Sequence, residues 1–230
     1  MTPTSFPATP TPMQAAPEPS GARLVFTLML AGLLSGLAIV SVYEWTLPII
    51  ERNNAAALER AVFKVVPGSA QMQALMIDDT GARTATAGDT PHIFAAYDDA
   101  GAFVGYAIAA QGPGFQDTIR LLYGYDPAQQ RIIGMEILDS RETPGLGDKI
   151  YKDMGFVGDF DALSVVPPIV CVKAGAKVND NEVDAITGAT ISSKAVVRII
   201  GLSNEQWLAK LPGPDDVPPL AKPEIAGDAP

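Results

Sequence analysis

Asp184-Ala185-Ile186-Thr187-Gly188-Ala189-Thr190-Ile191-Ser192-Ser193-Lys194-Ala195-Val196-Val197 is where a strand-rich sequence gives way to a helix. The first half crowds small and hydroxyl residues into a turn. The second half opens an apolar periodicity of helical spacing that runs from about Thr190 to Leu208. A helix starting here leaves unpaired backbone N–H groups and the positive end of its dipole beside Thr190, a ready seat for an anion. Gly188 and Ala189 leave a bulky group room to reach the Thr190 hydroxyl. The same residue types also make an ordinary Ser/Thr helix cap.

Upstream of this turn, residues 102–110 (AFVGYAIAA), 118–124 (TIRLLYG), 131–138 (RIIGMEIL) and 169–173 (IVCVK) read as strands. Gly112-Pro113-Gly114 and Asp126-Pro127 supply turns between them, and Asp98-Asp99-Ala100-Gly101 marks a hairpin after Ala-, Thr- and Asp-rich material. A short helix is expected from about Asp148. Strands followed by helices make an α+β domain, with a mixed or antiparallel sheet and packed helices, of roughly 165 residues.

The ends of the chain have a different character. Residues 1–22 are Pro-, Thr- and Ala-rich and predict a disordered cytoplasmic tail. Leu24–Tyr43 carries no charge. At about 1.5 Å rise per residue this run crosses roughly the 30 Å of a bilayer core. Residues 23–44 are therefore expected to form a retained transmembrane helix, flanked by Arg23 and Glu44 with Tyr43 and Trp45 as interfacial anchors. Arg23 places the N-terminus in the cytoplasm under the positive-inside rule, and hence residues 45–211 outside it. Residues 49–66 show helical spacing ending at Pro67-Gly68, and residues 212–230 predict a second disordered, proline-rich tail.

Composition narrows the chemistry. The net charge is −10, from 16 basic and 26 acidic residues, which argues against nucleic acid as a partner. With one cysteine (Cys171) and one histidine (His92), neither an intrachain disulfide nor a cysteine- or histidine-built metal site is available. The same scarcity disfavours a Ser-His-Asp triad. Cys171 reads as a buried strand thiol, His92 as a loop surface residue, and redox chemistry would need an organic cofactor or a partner.

A second constellation lies between a strand and the short helix: Glu142-Thr143-Pro144-Gly145-Leu146-Gly147-Asp148-Lys149-Ile150. Pro144 fixes one φ angle while the two glycines reach conformations closed to other residues. Such a loop can present backbone polar groups to a flat ring with Leu146 over one face, or simply start a helix that Asp148 caps. It holds neither a Walker lysine nor a Gly-x-Gly-x-x-Gly pattern.

Taken together, the two stretches resemble the covalent-flavin subunits of ion-pumping respiratory complexes. The pattern Asp-x-x-Ser/Thr-Gly-Ala-Thr is met by Asp184, Thr187, Gly188, Ala189 and Thr190, and Glu142, Thr143, Pro144, Gly145, Leu146 and Gly147 meet the second signature. The resemblance spans roughly residues 24–210 and implies FMN esterified to Thr190 by a separate flavin transferase; Asp184 is then expected to be read by that transferase, or to serve as a cap, rather than to take part in electron transfer. It implies that the Glu142–Gly147 loop lies against the isoalloxazine ring and that Lys173 stands near the flavin. Thr187 and Ser193 become candidate hydrogen-bond partners for the phosphate or ribityl chain. Asp148-Lys149-Ile150 after Gly147, and Thr190-Ile191-Ser192 at the helix start, are closer to the G subunit of Rnf complexes than to the C subunit of the sodium-pumping NADH:quinone reductase. The implied role is electron relay within a ferredoxin/NAD-linked, ion-translocating complex of the bacterial inner membrane. The chain would not be catalytic alone, and its partners would be multi-span membrane and iron–sulfur subunits. A membrane-anchored flavin-binding regulator is the alternative class.

Overall fold

The computed structural model describes residues 20–78, 81–86 and 88–220. The expected tails at 1–19 and 221–230 lie outside the described residues. The chain divides into two units, Met1–Arg52 and Asn53–Pro230.

Helix α1 (Gly21–Val65) begins in the first unit. Among the described residues it is the one helix long and apolar enough to cross a membrane, with an 18-residue window of mean hydropathy 2.3 and none of that window buried. Phe26, Met29, Leu33, Leu37, Ile39 and Tyr43 all stand exposed along it. An apolar surface of that extent is not carried into water by an ordinary soluble protein; a lipid environment accounts for it. The separate helix expected from residue 49 is instead a continuation of α1, which carries Pro48 inside it. A proline forfeits one N–H bond and crowds the carbonyl four residues back, but at an exposed position that carbonyl can be solvated and the helix goes on.

The second unit is built on a seven-stranded antiparallel sheet. Its strands are β1 (Gln71–Asp78), β2 (Gly81–Thr84), β3 (Ile93–Tyr97), β4 (Phe103–Pro113), β5 (Thr118–Asp126), β6 (Arg131–Asp139) and β7 (Leu163–Ser164), in the order β2-β1-β3-β4-β5-β6-β7. Two short helices, α2 (Lys149–Lys152) and α3 (Met154–Gly158), follow β6. A separate parallel pair, β8 (Val170–Val172) with β9 (Glu182–Asp184), leads into the long helix α4 (Thr190–Trp207).

Both faces of the sheet are covered. Tyr106, Ile108, Leu121 and Tyr123 point to the side where Val196, Ile199 and Ile200 of α4 pack. Ala107, Phe94, Ala96 and Leu122 point to the other side, against Ala61, Val62 and Val65 of α1. Val62 and Val65 have no exposed surface, each contributing about 1.5–3 kcal/mol of burial. The end of α1 comes so close because its seat is two cross-strand glycines, Gly124 and Gly134. A Cβ on Gly134 would lie 2.8 Å from the Val65 carbonyl oxygen, and one on Gly124 would overlap it.

This double covering explains the strands the sequence did not show. All five residues of β3 are buried, so it lacks the alternation of a half-exposed strand. In β1, Gln73 occupies an inward position, its amide bonded to the Thr84 hydroxyl at 2.9 Å, while Met72 and Ala74 face α1. Composition also puts residues 212–220 in a tail, yet they lie against the domain. Tyr106 Oη donates to the Pro212 carbonyl at 2.9 Å and Tyr97 Oη to the Pro218 carbonyl at 2.6 Å, with Val217 and Leu220 packed on the core. Prolines carry no N–H, but their carbonyls remain good acceptors for buried tyrosines.

Candidate cofactor site at the start of α4

The parallel β8–β9 pair sets Cys171 opposite Val183 and Val172 opposite Asp184, so Lys173 and the 185–189 turn leave the pair side by side. Asp184 anchors this end: its carboxylate accepts from the Ala176 and Lys177 amides at 3.0 Å, and its own amide donates to Asp159 at 2.8 Å. The turn closes with Ala189 N–H on the Ile186 carbonyl at 3.0 Å and Gly188 at φ +84°, a left-handed geometry that glycine adopts without strain. Ser193, fully buried, donates to the Ala189 carbonyl at 3.0 Å and accepts from the Ile186 amide at 3.1 Å. Its hydroxyl is thus engaged with the backbone of the turn on both its donor and an acceptor side.

Thr190 is not the cap of α4. Ala189 holds that position, makes no side-chain bond, and no acidic residue follows in the first turn. Thr190 is the first helical residue, exposed, with only a long 3.4 Å contact from its hydroxyl to the Ile186 carbonyl. The first turn thus keeps its N–H groups and dipole uncompensated by side chains.

Across from it stands the 142–148 loop. Glu142 is 6% exposed; Oε1 accepts from the amides of Phe115 and Gln116 at 2.8 and 3.0 Å, and Oε2 from Ser192 Oγ at 2.6 Å. Burial alone would push its carboxyl up, but the Ser192 hydroxyl and the amides of Gln116, Phe115 and Asp117 together hold it below the ordinary value. Thr143 Oγ1 donates to Gln116 Oε1 at 2.8 Å. Gly145 adopts φ +79° and leaves Leu146 half-exposed beside the Thr190 turn. Asp148 stands at the N-terminus of α2 without capping it. Its backbone is already helical, and its carboxylate takes the Lys152 ammonium at 2.5 Å instead. The capping aspartate is Asp153, which accepts from the Gly155 and Phe156 amides at the start of α3.

Two cavities meet at Thr190. One, of about 350 Å³, is lined by Phe115, Leu146 and Ile191 together with Thr143, Gly147 and Ser192. The other, of about 430 Å³, is lined by Cys171, Lys173, Thr187 and Lys194. Gly188 and Thr190 border both. Lys149 also approaches, since a Cβ on Gly188 would sit 3.9 Å from its ammonium and from Leu146. Lys64, Lys152 and Lys177 are each ion-paired with a carboxylate. Lys149, Lys173 and Lys194 make no ion pair among the described residues and lie close to the turn. Cys171 lies half-buried in the second cavity; burial pushes its thiol up, against the opposing pull of Lys194, so it stays a neutral thiol.

The structure therefore brings Thr187, Gly188, Thr190, Thr143, Leu146, Gly147 and Lys173 around one place. Glu142, Ala189, Ser193 and Asp184 form the frame behind it. Phe115, Ile191, Ser192, Lys149 and Lys194 join them without having been assigned to the site from the sequence. Phe115 had a local signal, a large apolar residue at the tip of a Gly-Pro-Gly turn. Lys194 had its helical spacing, four residues after Thr190 and so on the same face.

Comparison with known proteins gives the site a chemical context. Residues 114–201 match the FMN-binding domain family. The chain is 28% identical over 180 residues to the G subunit of the ion-translocating oxidoreductase complex of Methanosarcina acetivorans, covering 76% of this chain and 88% of that protein. It is 38% identical over 108 residues to the G subunit of the Na(+)-translocating ferredoxin:NAD(+) oxidoreductase complex of Acetobacterium woodii, covering 45% of this chain and 49% of that one. With this second relative, then, it shares about half of the relative's length. The crystal structure of the C subunit of the Na(+)-translocating NADH-quinone reductase from Parabacteroides distasonis superposes with a TM-score of 0.56 at 21% identity. That superposition spans 71% of this chain and 97% of that one, a shared fold.

Proposed function

We propose that this chain, which carries an FMN-binding domain over residues 114–201, is the membrane-anchored flavin subunit of an Rnf-type ion-translocating oxidoreductase complex, relaying electrons through FMN esterified to Thr190. The observation that carries the reading is the position of Thr190. It is an exposed hydroxyl at an uncapped helix start, bordering an apolar cavity on one side and a lysine-lined cavity on the other.

FMN has the two chemistries that these cavities call for. A flat, largely apolar ring suits the gap between Phe115, Leu146 and Ile191. The phosphate suits the helix N-terminus and Lys149, Lys173 and Lys194, which make no ion pair among the described residues. Once bound, the flavin supplies electron uptake and release, singly or in pairs. The chain supplies position and field. Leu146 and Phe115 exclude water from the ring, Thr187 offers a hydroxyl at the turn, and the lysines stabilise negative charge and raise the flavin potential. Net, esterification joins Thr190 Oγ to phosphorus with loss of one water, a step assigned to a flavin transferase that uses Asp184 and the turn it holds as its recognition feature.

Helix α1 anchors the chain, with the N-terminus cytoplasmic and residues 45–211 periplasmic. The partners are the other subunits of the complex, multi-span membrane proteins and iron–sulfur proteins. The sequence relatives favour the G subunit over the quinone reductase C subunit, whose likeness is one of fold. Intact mass of the chain produced with its transferase should exceed the sequence mass by FMN less water. Thr190→Val should abolish the increment together with in-gel flavin fluorescence. Retention of the increment in that variant would refute Thr190 as the attachment point.

A further inference from the structure

We propose that Glu142 is a positioning residue that sets the width of the ring cavity by holding Phe115 and the first turn of α4 to one carboxylate. This rests on the reading of the apolar cavity as the flavin ring's seat, and it assigns Glu142 a different job from lining that seat. Both of its oxygens are occupied, Oε1 by the amides of Phe115 and Gln116 and Oε2 by Ser192 Oγ, and the side chain is buried. Glu142 is not among the residues that line the cavity.

The three segments it joins are remote in sequence: Phe115 lies 27 residues away and Ser192 lies 50. Both of the segments it reaches line the cavity, one through Phe115 and the other through Ile191 and Ser192. Phe115 is 63% exposed, so core packing does not fix it. What fixes it is the tight 114–117 turn, closed by Gly114 N–H on the Asp117 carbonyl at 2.8 Å, and the bond from its own amide to Glu142.

The carboxylate also has a dedicated hole. A Cβ on Gly147 would lie 2.7 Å from Glu142 Oε2 and 3.0 Å from Ser192 Oγ, and a Cβ on Gly114 would overlap Glu142 Oε1. A side chain at either glycine would displace the carboxylate. The second glycine of the loop thus serves the strut, while Gly145 serves the loop's turn. A buried anion with several strong donors and shaped space is costly to build for stability alone, and its cost is offset because it ties two cavity-lining segments together.

The test uses the full-length, flavin-loaded chain in detergent with Glu142→Ala, Phe115→Ala, the double variant and Glu142→Gln. Visible circular dichroism of the flavin reports how the ring is held. Glu142→Ala and Phe115→Ala should each lose a similar share of that signal, with the flavin mass increment intact, and the double variant should lose no more than either single one. Glu142→Gln should retain most of the signal, because its amide oxygen still accepts two N–H bonds and its amide nitrogen can donate to Ser192. Additive losses in the double variant, or an unchanged spectrum in Glu142→Ala or Phe115→Ala, would overturn the proposal. Hydrogen exchange tests the strut in the flavin-free protein as well. The Phe115 and Gln116 amides should exchange at least about ten-fold faster in Glu142→Ala; unchanged rates there overturn the strut whether or not flavin is attached. A missing mass increment in the wild-type chain would instead count against the flavin reading.

Discussion

Replacing Ser192 by alanine removes the donor that Glu142 Oε2 holds at 2.6 Å in a buried setting. A hydrogen bond to a charged group is worth about 1.5–3 kcal/mol, and a domain of this size loses roughly 2–4 °C of Tm per kcal/mol. The variant should therefore melt about 3–12 °C lower at neutral pH. The pH dependence is the sharper test. In the folded wild type the Glu142 carboxyl is held below its ordinary value of 4.5, so the stability it contributes is complete above that pH. It is lost as pH falls through the lowered folded value. Without Ser192 the effect of burial meets less opposition and the folded value moves up, so the variant forfeits its share earlier. The gap between wild type and variant should be widest near pH 7 and should close as pH drops below 4.5. Calorimetric melting of the full chain in detergent across that range measures it. A gap that stays constant down to acid pH, or one under about 1 °C at neutral pH, would refute the view that Ser192 keeps Glu142 ionised.

Other perturbations probe other parts of the molecule. Gly124→Ala drives a methyl group into the Val65 main chain and should cost about 3 kcal/mol, at the upper end for overpacking; urea unfolding at wild-type stability would remove the end of α1 from its seat on the sheet. Lys173→Met and Lys194→Met should each lower the flavin midpoint potential by tens of millivolts, about 1 kcal/mol or less for an exposed charge, as read by spectroelectrochemistry. An unchanged potential in both would take the lysine-lined cavity out of the electrostatic account. Asp184→Ala releases the amides of Ala176 and Lys177, and hydrogen exchange at those two positions should quicken by about ten-fold or more.

Fold and site were legible in the sequence to different depths. The strands from Phe103 to Asp139 and the helix from Thr190 were readable because their periods are local and their turns carry Gly, Pro and Asp. The strands β1 and β3 were not, because their side chains serve two covered faces. Gln73 on the α4-side face and Met72 on the face toward α1 erase the alternation that would have marked a strand. The prolines after Leu211 read as a tail, yet Pro212 and Pro218 offer carbonyls to tyrosines more than a hundred residues earlier. In the site, Thr190, Gly188 and Leu146 could be named because turn chemistry and exposure are encoded near each residue. Ser193 and Asp148 went elsewhere because a single hydroxyl or carboxylate takes whichever partner the fold brings to it.

By itself, the sequence determined the apolar length of α1, the glycine-bearing turn before α4, and a threonine placed at that helix start. These depend on composition and spacing within a dozen or so residues. The tertiary structure decided that Ala189 rather than Thr190 occupies the cap, that Glu142 faces inward to Ser192 and the 115–117 turn, and that three lysines without ion pairs among the described residues lie near the site. Those outcomes depend on sheet register and on two glycines that leave room for a carboxylate. They join segments 27 and 50 residues apart, a separation over which no local pattern carries information.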